Sequence, residues 1–384
     1  MTIDQIADKV KGGGRIDAGE ALDLFRHAPT PLLGQLADVV RARKHRDGLV
    51  TYIIDRNVNY TNVCVARCNF CAFYRRVGSP EGYVLGFDEL FRKIDETIAV
   101  GGGQLLLQGG HNPDLPLAWY EDLFRAVKAR YPSFKLHALS PPEVIHLSRL
   151  SQLAVPDVID HLIAAGLDSI PGGGAEILVD RVRRLLHCDG KATSDEWLDV
   201  MRHAHRAGLR TTATMMYGTV ETDEERLEHL LRLRALQDST GGFQAFIPLA
   251  YHPDNNYLGL RWQTSGLEDL RHIATARLVL DNVPHIKAYW IMISPKLAQV
   301  ALRFGADDLD GTVLEENIYQ MAGASSGVAM RREELERLVR DVGLRPVERD
   351  TLYRPLRQSG APQNAAAIGA LGMRPAEGIG GIAS

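Results

Sequence analysis

Residues 51–71 read TYIIDRNVNYTNVCVARCNFC and carry the strongest structural signal in the chain. The β-branched and apolar start predicts a β-strand at 51–56. Three of the four cysteines follow it within eight positions, at Cys64, Cys68 and Cys71. In a (β/α) barrel, the loop after a strand lies at the end where the active site forms. Three thiolates spaced C-x₃-C-x₂-C can hold three irons of a [4Fe–4S] cluster and leave the fourth iron open.

A structural zinc site is the alternative for these cysteines. Such a site takes four protein ligands, usually in two separated pairs. The fourth cysteine, Cys188, stands alone far downstream, with no second cysteine beside it. The pattern therefore favours an iron–sulfur cluster over zinc, and Cys188 is interpreted as an inert buried thiol.

The same rhythm of a short apolar run, a loop and an amphipathic stretch continues along the chain. Strands are predicted at 51–56, 103–108, 135–139, 167–170, 211–217, 243–249, 286–292 and, most weakly, 309–313. Strands that alternate with helices predict βαβ units and a parallel sheet. Eight units in about 265 residues match an α/β fold of the (β/α)8 TIM barrel type. A doubly wound open sheet is the alternative, because a sequence does not show whether a sheet closes.

The barrel pattern divides the chain into four regions. Residues 1–48 are predicted to be an N-terminal helical extension, and 49–315 the barrel. Residues 316–356 form a C-terminal helical extension, with a helix near 331–342. The remaining residues, 357–384, are rich in Gly and Ala and are interpreted as a loosely ordered tail.

Composition sets limits on the function. The 384 residues are 45% hydrophobic and 24% charged, with a formal net charge of −4, which is typical of a globular enzyme. That charge gives no indication of nucleic-acid binding, and no apolar run is long enough for a membrane span. The N-terminal residues lack the apolar core of a secretory signal. A cytoplasmic, reducing location is therefore expected.

The cysteine loop resembles the signature of radical S-adenosylmethionine (SAM) enzymes, because an aromatic residue, Phe70, precedes the last cysteine. Longer segments are similar to the menaquinone (futalosine) branch of that superfamily. They are residues 50–75, LLLQGGHNPDL at 105–115, LHALSPPEV at 136–144, AGLDSIPGGGAEIL at 165–178 and TTATMMYGTVET at 211–222. The resemblance implies a radical SAM barrel whose cofactors are a [4Fe–4S] cluster and S-adenosylmethionine. It also implies an electron donor such as flavodoxin or ferredoxin.

Two sister activities of this branch remain open. The segments above resemble the family that cyclises dehypoxanthine futalosine, in which the 5′-deoxyadenosyl radical takes the ribose C4′ hydrogen and the ring closes onto the benzoate. Residues 243–256 and 285–324 are closer to a sister family, which adds the adenosyl radical to 3-[(1-carboxyvinyl)oxy]benzoate. Cyclisation is favoured because the cofactor loops match over the longer run.

Cofactor contacts are expected from loops that follow the predicted strands. The resemblance implies them for Tyr74, Gln108, Gly109, Gly110, Ser140 and Glu176. The glycines let backbone approach a ligand closely, and the Glu176 carboxylate can accept hydrogen bonds from ribose hydroxyls or an ammonium group. The alternative for Glu176 is a solvated carboxylate at the start of a helix that the glycine-rich loop opens.

Acid–base and substrate groups are expected at the same end of the barrel. The candidates for proton transfer are His111, His252 and Asp254, since an unperturbed histidine titrates near pH ~6.5. The candidate cations for the benzoate are Arg56 and Lys287. Each of these residues could instead be a hydrogen-bonded structural residue. Trp290 and Met292 are interpreted as barrel filling.

Overall fold

The structure, a computed structural model, describes residues 1–312, 315, 317–323 and 329–358. Its strands within those ranges are β1 Leu49–Ile53, β2 Asp55–Asn59, β3 Gln104–Gln108, β4 Lys135–Ala138, β5 Ser169–Ile170, β6 Arg210–Tyr217, β7 Phe243–Ala250, β8 His285–Ile286, β9 Asp308–Gly311, β10 Arg345–Arg349 and β11 Pro355–Gln358. The expected tail lies, from residue 359 onward, outside the described residues.

The helices alternate with these strands along most of the chain. They are α1 Ile3–Lys11, α2 Ala18–His27, α3 Thr30–Lys44, α4 Phe87–Ala99, α5 Leu117–Arg130, α6 Pro141–Ser151, α7 Val155–Ala165, α8 Asp180–Leu185, α9 Ser194–Arg206, α10 Asp223–Thr240, α11 Gly266–Val279, α12 Trp290–Ile293, α13 Pro295–Ala301, α14 Asn317–Met321 and α15 Arg332–Asp341. Within the described ranges, no helix combines the length and apolar character needed to cross a bilayer.

Seven strands, β2 to β8 in sequence order, form one parallel sheet. Two backbone hydrogen bonds connect β8 to β9. Asp307 N donates to Ile286 O (3.0 Å), and Ala288 N donates to Asp308 O (2.7 Å). Strand β9 pairs in parallel with β1, which runs directly into β2. The strands therefore form a ring of eight, and the predicted barrel is confirmed in preference to an open sheet.

Two predicted strands differ from the structure. The first is divided into β1 and β2, which belong to two different sheets. The seventh, 286–292, is wrong beyond Ile286, because α12 begins at Trp290. All four side chains of α12 are buried. A short, fully apolar run fits a buried strand and a buried helix equally well, so periodicity could not separate them.

The N-terminal extension is helical, as predicted. Two of its helices begin with capping boxes, in which Thr2 pairs with Gln5 and Asp17 pairs with Glu20. These reciprocal hydrogen bonds satisfy backbone groups that a helix start otherwise leaves open. The helices α2 and α3 pack against α11 of the barrel.

The C-terminal extension is only partly helical, which corrects the prediction. After α15, strand β10 pairs in parallel with β1, and β11 returns antiparallel to β10. The turn between them reaches the amino end of the barrel strands. There, Gln244 at the start of β7 donates to Thr351 O (3.3 Å), and the Tyr353 ring stacks on His285 at 4.2 Å. This turn therefore closes one end of the barrel.

Candidate active site

A cavity of about 230 Å³ opens at the carboxyl ends of the barrel strands, and we call it the outer cavity. Most of the expected site residues line it. They are Cys64, Cys68, Cys71, Tyr74, Gln108, Gly109, Gly110, His111, Ser140, Glu176 and His252. Residues from five different strand ends thus meet at one place, as barrel topology requires of an active site.

The cysteine loop follows β2 and is held closed at its base. Cys64 N donates to Arg75 O (2.9 Å), and Arg75 N donates to Asn62 O (2.7 Å). The Arg75 guanidinium also donates to the carbonyls of Ala72, Phe73 and Tyr74. The backbone N–H groups of Phe73 and Tyr74 hydrogen-bond the Cys71 sulfur, which opposes the effect of burial on the pKa of that thiol.

The three loop thiols fit the donor set of an iron–sulfur cluster. All three line the outer cavity, and burial raises the pKa of Cys68 and Cys71. Buried thiolates need a nearby positive charge, which iron would provide. Cys188 does not line the cavity, and its thiol lies 3.5 Å from Arg183 O. The geometry thus offers three sulfur ligands and one open side.

The backbone at Gly109 and Gly110 lies against the start of the cysteine loop. Gly110 N donates to Thr61 O (2.9 Å), and a Cβ at Gly110 would lie 2.2 Å from Val63 O. Only glycine permits this approach. The loop after β3 can therefore present backbone groups to a ligand bound on the cysteine side.

Ser140 lies at the cavity wall, where it caps α6. Its N–H and its hydroxyl both donate to Glu143 Oε2, each at 2.6 Å. The other oxygen of Glu143 accepts from Gly109 N (3.0 Å) and Tyr60 OH (2.8 Å). The buried Glu143 therefore joins the loops after β3 and β4, and the Ser140 hydroxyl is already engaged by it.

Glu176 is not the solvated helix-start carboxylate that we considered, and the glycine-rich loop does not open a helix there. The helix α8 begins four residues later, at Asp180, and Glu176 is 7% exposed. Its Oε1 atom lies 2.7 Å from Lys191 Nζ, and its Oε2 atom lies 3.5 Å from Arg183. Lys191 also lies 5.6 Å from the Phe70 ring. A carboxylate and an ammonium group thus face the cavity beside the cysteines.

The two candidate histidines are neutral. Burial lowers the pKa of His111 well below its usual range, and its ring stacks on His146. Burial also lowers the pKa of His252. Because Nε2 of His252 faces Met292 O (3.1 Å), it carries the proton, and Nδ1 accepts from Gln263 (3.1 Å). Both His252 nitrogens are engaged, so proton transfer there would first break a hydrogen bond.

Three expected residues do not line this cavity: Asp254 and Arg56 lie outside both it and a second cavity beneath it, and Lys287 lines only that second cavity. Asp254 is exposed and lines neither this cavity nor the one beneath it. Arg56 points toward α4, where it pairs with Glu96 (2.5 Å) and Glu315 (2.9 Å). Met292, interpreted as barrel filling, lines the outer cavity, whereas Trp290 is buried and donates to Gly311 O (3.0 Å).

A second cavity of about 110 Å³, which we call the inner chamber, lies inside the barrel. Gln108, Gly173 and Thr214 line both cavities, so the two adjoin. Lys287, one of the expected substrate cations, lines the inner chamber and contacts Asp310. The chamber also includes Asp55, His137, Arg349, Thr351 and Tyr353, which the sequence interpretation did not select.

Sequence reasoning also missed Glu143 and Lys191 in the outer cavity. For Glu143 a signal existed, since Ser140 and Glu143 have the S-x-x-E spacing of a capping box after a predicted strand. Lys191 had none, because its Cα lies in a polar loop after Cys188 and only the fold turns its ammonium group toward Glu176.

Family comparisons agree with this geometry. Residues 58–233 match the Radical SAM superfamily, and residues 240–361 match the CofH/MqnC C-terminal region. The fold is similar to that of the FeFe-hydrogenase maturase HydG from Carboxydothermus hydrogenoformans. The TM-score is 0.69 at 17% identity, over 92% of this chain and 80% of that one.

Three curated relatives match most of the chain. Cyclic dehypoxanthine futalosine synthase of Streptomyces coelicolor is 44% identical, over 94% of this chain and 90% of that protein. Aminodeoxyfutalosine synthase of Thermus thermophilus is 45% identical, over 92% and 95%. A 5-amino-6-(D-ribitylamino)uracil–L-tyrosine 4-hydroxyphenyl transferase of Methanococcoides burtonii is 43% identical, over 88% and 95%. The chain belongs to the radical SAM superfamily and, within it, to the family that carries the CofH/MqnC C-terminal region.

Proposed function

We propose that the protein is a radical cyclase of menaquinone biosynthesis, which converts dehypoxanthine futalosine to cyclic dehypoxanthine futalosine. In this reaction the ribose C4′ loses a hydrogen atom and bonds to the benzoate ring. Loss of a proton, and of an electron that the oxidised cluster would take up, then restores the aromatic ring. The 44% identity to the Streptomyces coelicolor enzyme supports this proposal.

A bound [4Fe–4S] cluster with S-adenosylmethionine supplies the 5′-deoxyadenosyl radical in radical SAM enzymes. In this chain Cys64, Cys68 and Cys71 are the proposed iron ligands. The backbone of Gly109 and the ion pair of Glu176 with Lys191 border the remaining space. They can hold the polar groups of a nucleoside-linked amino acid while buried side chains exclude water.

The observation that favours cyclisation is a set of hydrogen-bond acceptors in the inner chamber, on His137 and Asp55, which we call the acceptor wall. Ser169 Oγ donates its proton to Arg210 O (2.6 Å), so His137 Nδ1, at 2.9 Å from the same oxygen, must be the donor. That leaves His137 Nε2 without a proton, and burial keeps this imidazole neutral by lowering its pKa to about 3. Asp55, also in the chamber, adds a carboxyl oxygen, which accepts from Gln104 Nε2 (2.9 Å).

An acceptor wall suits a substrate that brings hydrogen-bond donors. Dehypoxanthine futalosine has ribose hydroxyls and one carboxylate, whereas the enolpyruvyl-oxybenzoate has two carboxylates and no donor when ionised. Placing a second carboxylate against the unprotonated His137 nitrogen would be unfavourable. This electrostatic difference supports the cyclase.

The alternative is aminofutalosine synthase, which adds the adenosyl radical to 3-[(1-carboxyvinyl)oxy]benzoate. It is favoured by the 45% identity to the Thermus thermophilus enzyme. The two reactions differ in one product, since only the cyclase releases 5′-deoxyadenosine together with its product.

The test is anaerobic incubation of the reconstituted enzyme with C4′-deuterated dehypoxanthine futalosine. We expect deuterium in 5′-deoxyadenosine, one molecule for each cyclic product, and no return of label to the substrate. Parallel reactions contain the enolpyruvyl-oxybenzoate, or tyrosine with the ribitylaminouracil. Turnover of either one, with unlabelled 5′-deoxyadenosine and no cyclic product in the first reaction, would overturn the proposal.

The cluster also needs an electron from outside the chain. A low-potential carrier such as flavodoxin or ferredoxin is the proposed donor, and the cytoplasm is the proposed location. Omitting the carrier and supplying dithionite instead tests whether the carrier is needed for turnover.

A further inference from the structure

We propose that the C-terminal turn at residues 349–354 recognises the aryl carboxylate of the substrate, through the hydroxyls of Thr351 and Tyr353 together with Arg349 and Lys287. The proposal deepens the proposed function and rests on it in one respect, namely that the substrate is an aromatic carboxylate. Both futalosine reactions satisfy that condition. It assigns a substrate-binding role to a segment outside the barrel.

Two hydroxyls on this turn lack partners. Thr351 Oγ1 and Tyr353 OH are buried and make no hydrogen bond to any described residue, and both residues line the inner chamber. Thr351 is only 5% exposed. A buried hydroxyl without a partner carries a desolvation cost. A ligand in the chamber would remove that cost.

The neighbouring cations also have unused donors. Arg349 donates from Nε to Asp308 (2.5 Å) and from Nη1 to Asp350 O (3.2 Å), but its Nη2 donates to none of the described residues. Lys287 contacts Asp310, which engages one of its three N–H groups. Four neighbouring groups can therefore each donate a hydrogen bond toward the chamber.

A carboxylate is the ligand that matches this set. An ionised carboxylate only accepts hydrogen bonds, at about four lone-pair positions. The hydroxyls can donate because burial keeps the pKa of Tyr353 well above its usual range. Since Arg349 pairs with Asp308 and Lys287 with Asp310, these four side chains together carry no net charge. A single carboxylate, held by directed hydrogen bonds, fits it better than a polyanion.

The turn is built before any ligand arrives. Asp350 Oδ1 accepts from the N–H groups of Leu352 (2.8 Å) and Arg354 (2.9 Å). Tyr353 has φ 58°, and its ring lies between His285 and the Arg349 guanidinium, which is 3.8 Å from the ring centroid. These contacts fix the two hydroxyls relative to Arg349. Such preorganisation lowers the entropy that binding would otherwise lose.

The test combines two near-isosteric variants with two substrates. In the reconstituted holoenzyme, Thr351→Val and Tyr353→Phe should each raise KM for dehypoxanthine futalosine about 10-fold, with kcat changed by less than about 3-fold. For the analogue that has phenyl in place of carboxyphenyl, wild type and variants should share one KM. An equal KM penalty on both substrates would overturn the proposal, as would an unchanged KM for the acid.

The matched control is Thr275→Val, because Thr275 Oγ1 in α11 is also buried, makes no hydrogen bond to a described residue and lines neither cavity. It should leave both KM values unchanged. Substrate-free cleavage of S-adenosylmethionine and the iron content should be equal in all four proteins. If turnover occurs only with the enolpyruvyl-oxybenzoate, the cyclase assignment fails. The role of the turn can then still be tested by the same comparison, made with that acid and with its analogue that lacks the aryl carboxylate.

Discussion

The ammonium group of Lys191 lies 2.7 Å from Oε1 of Glu176, and both side chains line the cavity that holds the three clustered cysteines. The Coulombic attraction of Cys68 and Glu176 outweighs burial and keeps the pKa of Lys191 above its usual value. Lys191 therefore stays protonated. The pair gives the cofactor space one fixed positive group and one carboxyl group beside it.

Replacing Glu176 by Gln should weaken the binding of S-adenosylmethionine about ten-fold or more. The amide keeps the size of the side chain but loses charge-assisted hydrogen bonds, each worth about 1.5–3 kcal/mol. Anaerobic equilibrium dialysis measures the affinity, and iron content should stay constant. Glu121→Gln is the control, since Glu121 pairs with His161 away from both cavities. An unaltered affinity would mean that Glu176 only holds Lys191.

Replacing Cys64, Cys68 or Cys71 by Ala should abolish the visible charge-transfer absorption and the cleavage of S-adenosylmethionine. Each change removes one of three thiolates and leaves a second iron without a protein ligand. Iron per chain after anaerobic reconstitution is the measurement. Cys188→Ala should retain both properties, because that thiol faces Arg183 O rather than the cavity. Full iron content in Cys68→Ala would contradict the cluster assignment.

The barrel could be predicted because its long strands are rich in β-branched and apolar residues. The runs at β6 and β7 are nearly continuous buried strands, as parallel sheets require. Strand β10 was missed because RPVER looks like a polar loop. In the fold its two buried charges are paired with residues distant in sequence, Glu348 with Arg332 (3.1 Å) and Arg349 with Asp308 (2.5 Å). No local pattern encodes such pairs.

The site residues could be predicted only in part, for a different reason. The cysteines and the loops after the strands could be placed because each follows an apolar run. Arg56 occupies a strand that does border the cavities, but alternate residues of a strand point to opposite faces. Its neighbours Asp55 and Asn57 line the chamber, whereas Arg56 faces α4. An error of one residue in the strand start reverses that assignment.

Replacing Glu143 by Gln should destabilise the protein by about 1–3 kcal/mol. The carboxylate accepts four hydrogen bonds, from Tyr60, Gly109 and twice from Ser140. An amide nitrogen in place of either oxygen would face N–H and O–H groups, from which it cannot accept a hydrogen bond. Urea unfolding at matched cluster content measures the change. Glu196→Gln is the control, because it occupies the same capping-box position in α9 but is partly exposed. Equal effects would contradict the importance of burial.

The last prediction concerns the stability of the protein as a function of pH. Burial and the charge of Asp310 raise the pKa of Asp55 to about 7, with Lys287 and Arg349 opposing the rise. An unfolded aspartate titrates near pH ~3.9. Between pH ~4 and ~7 the unfolded chain has therefore released a proton that the native state still holds. The free energy of unfolding contributed by Asp55 falls as pH rises through that interval.

Asp55→Asn should remove this pH dependence, because its amide oxygen can still accept from Gln104 Nε2, as Asp55 does at 2.9 Å. Relative to wild type, the variant should be more stable at pH 8 than at pH 5, by urea unfolding in both buffers. His137 does not confuse the comparison, since its pKa of about 3 keeps it neutral throughout. Asp122→Asn, at an exposed position, should follow the wild-type profile. Parallel profiles for wild type and Asp55→Asn would contradict this prediction. They would show that Asp55 is ionised across the whole range, because the charges of Lys287 and Arg349 offset the cost of its burial.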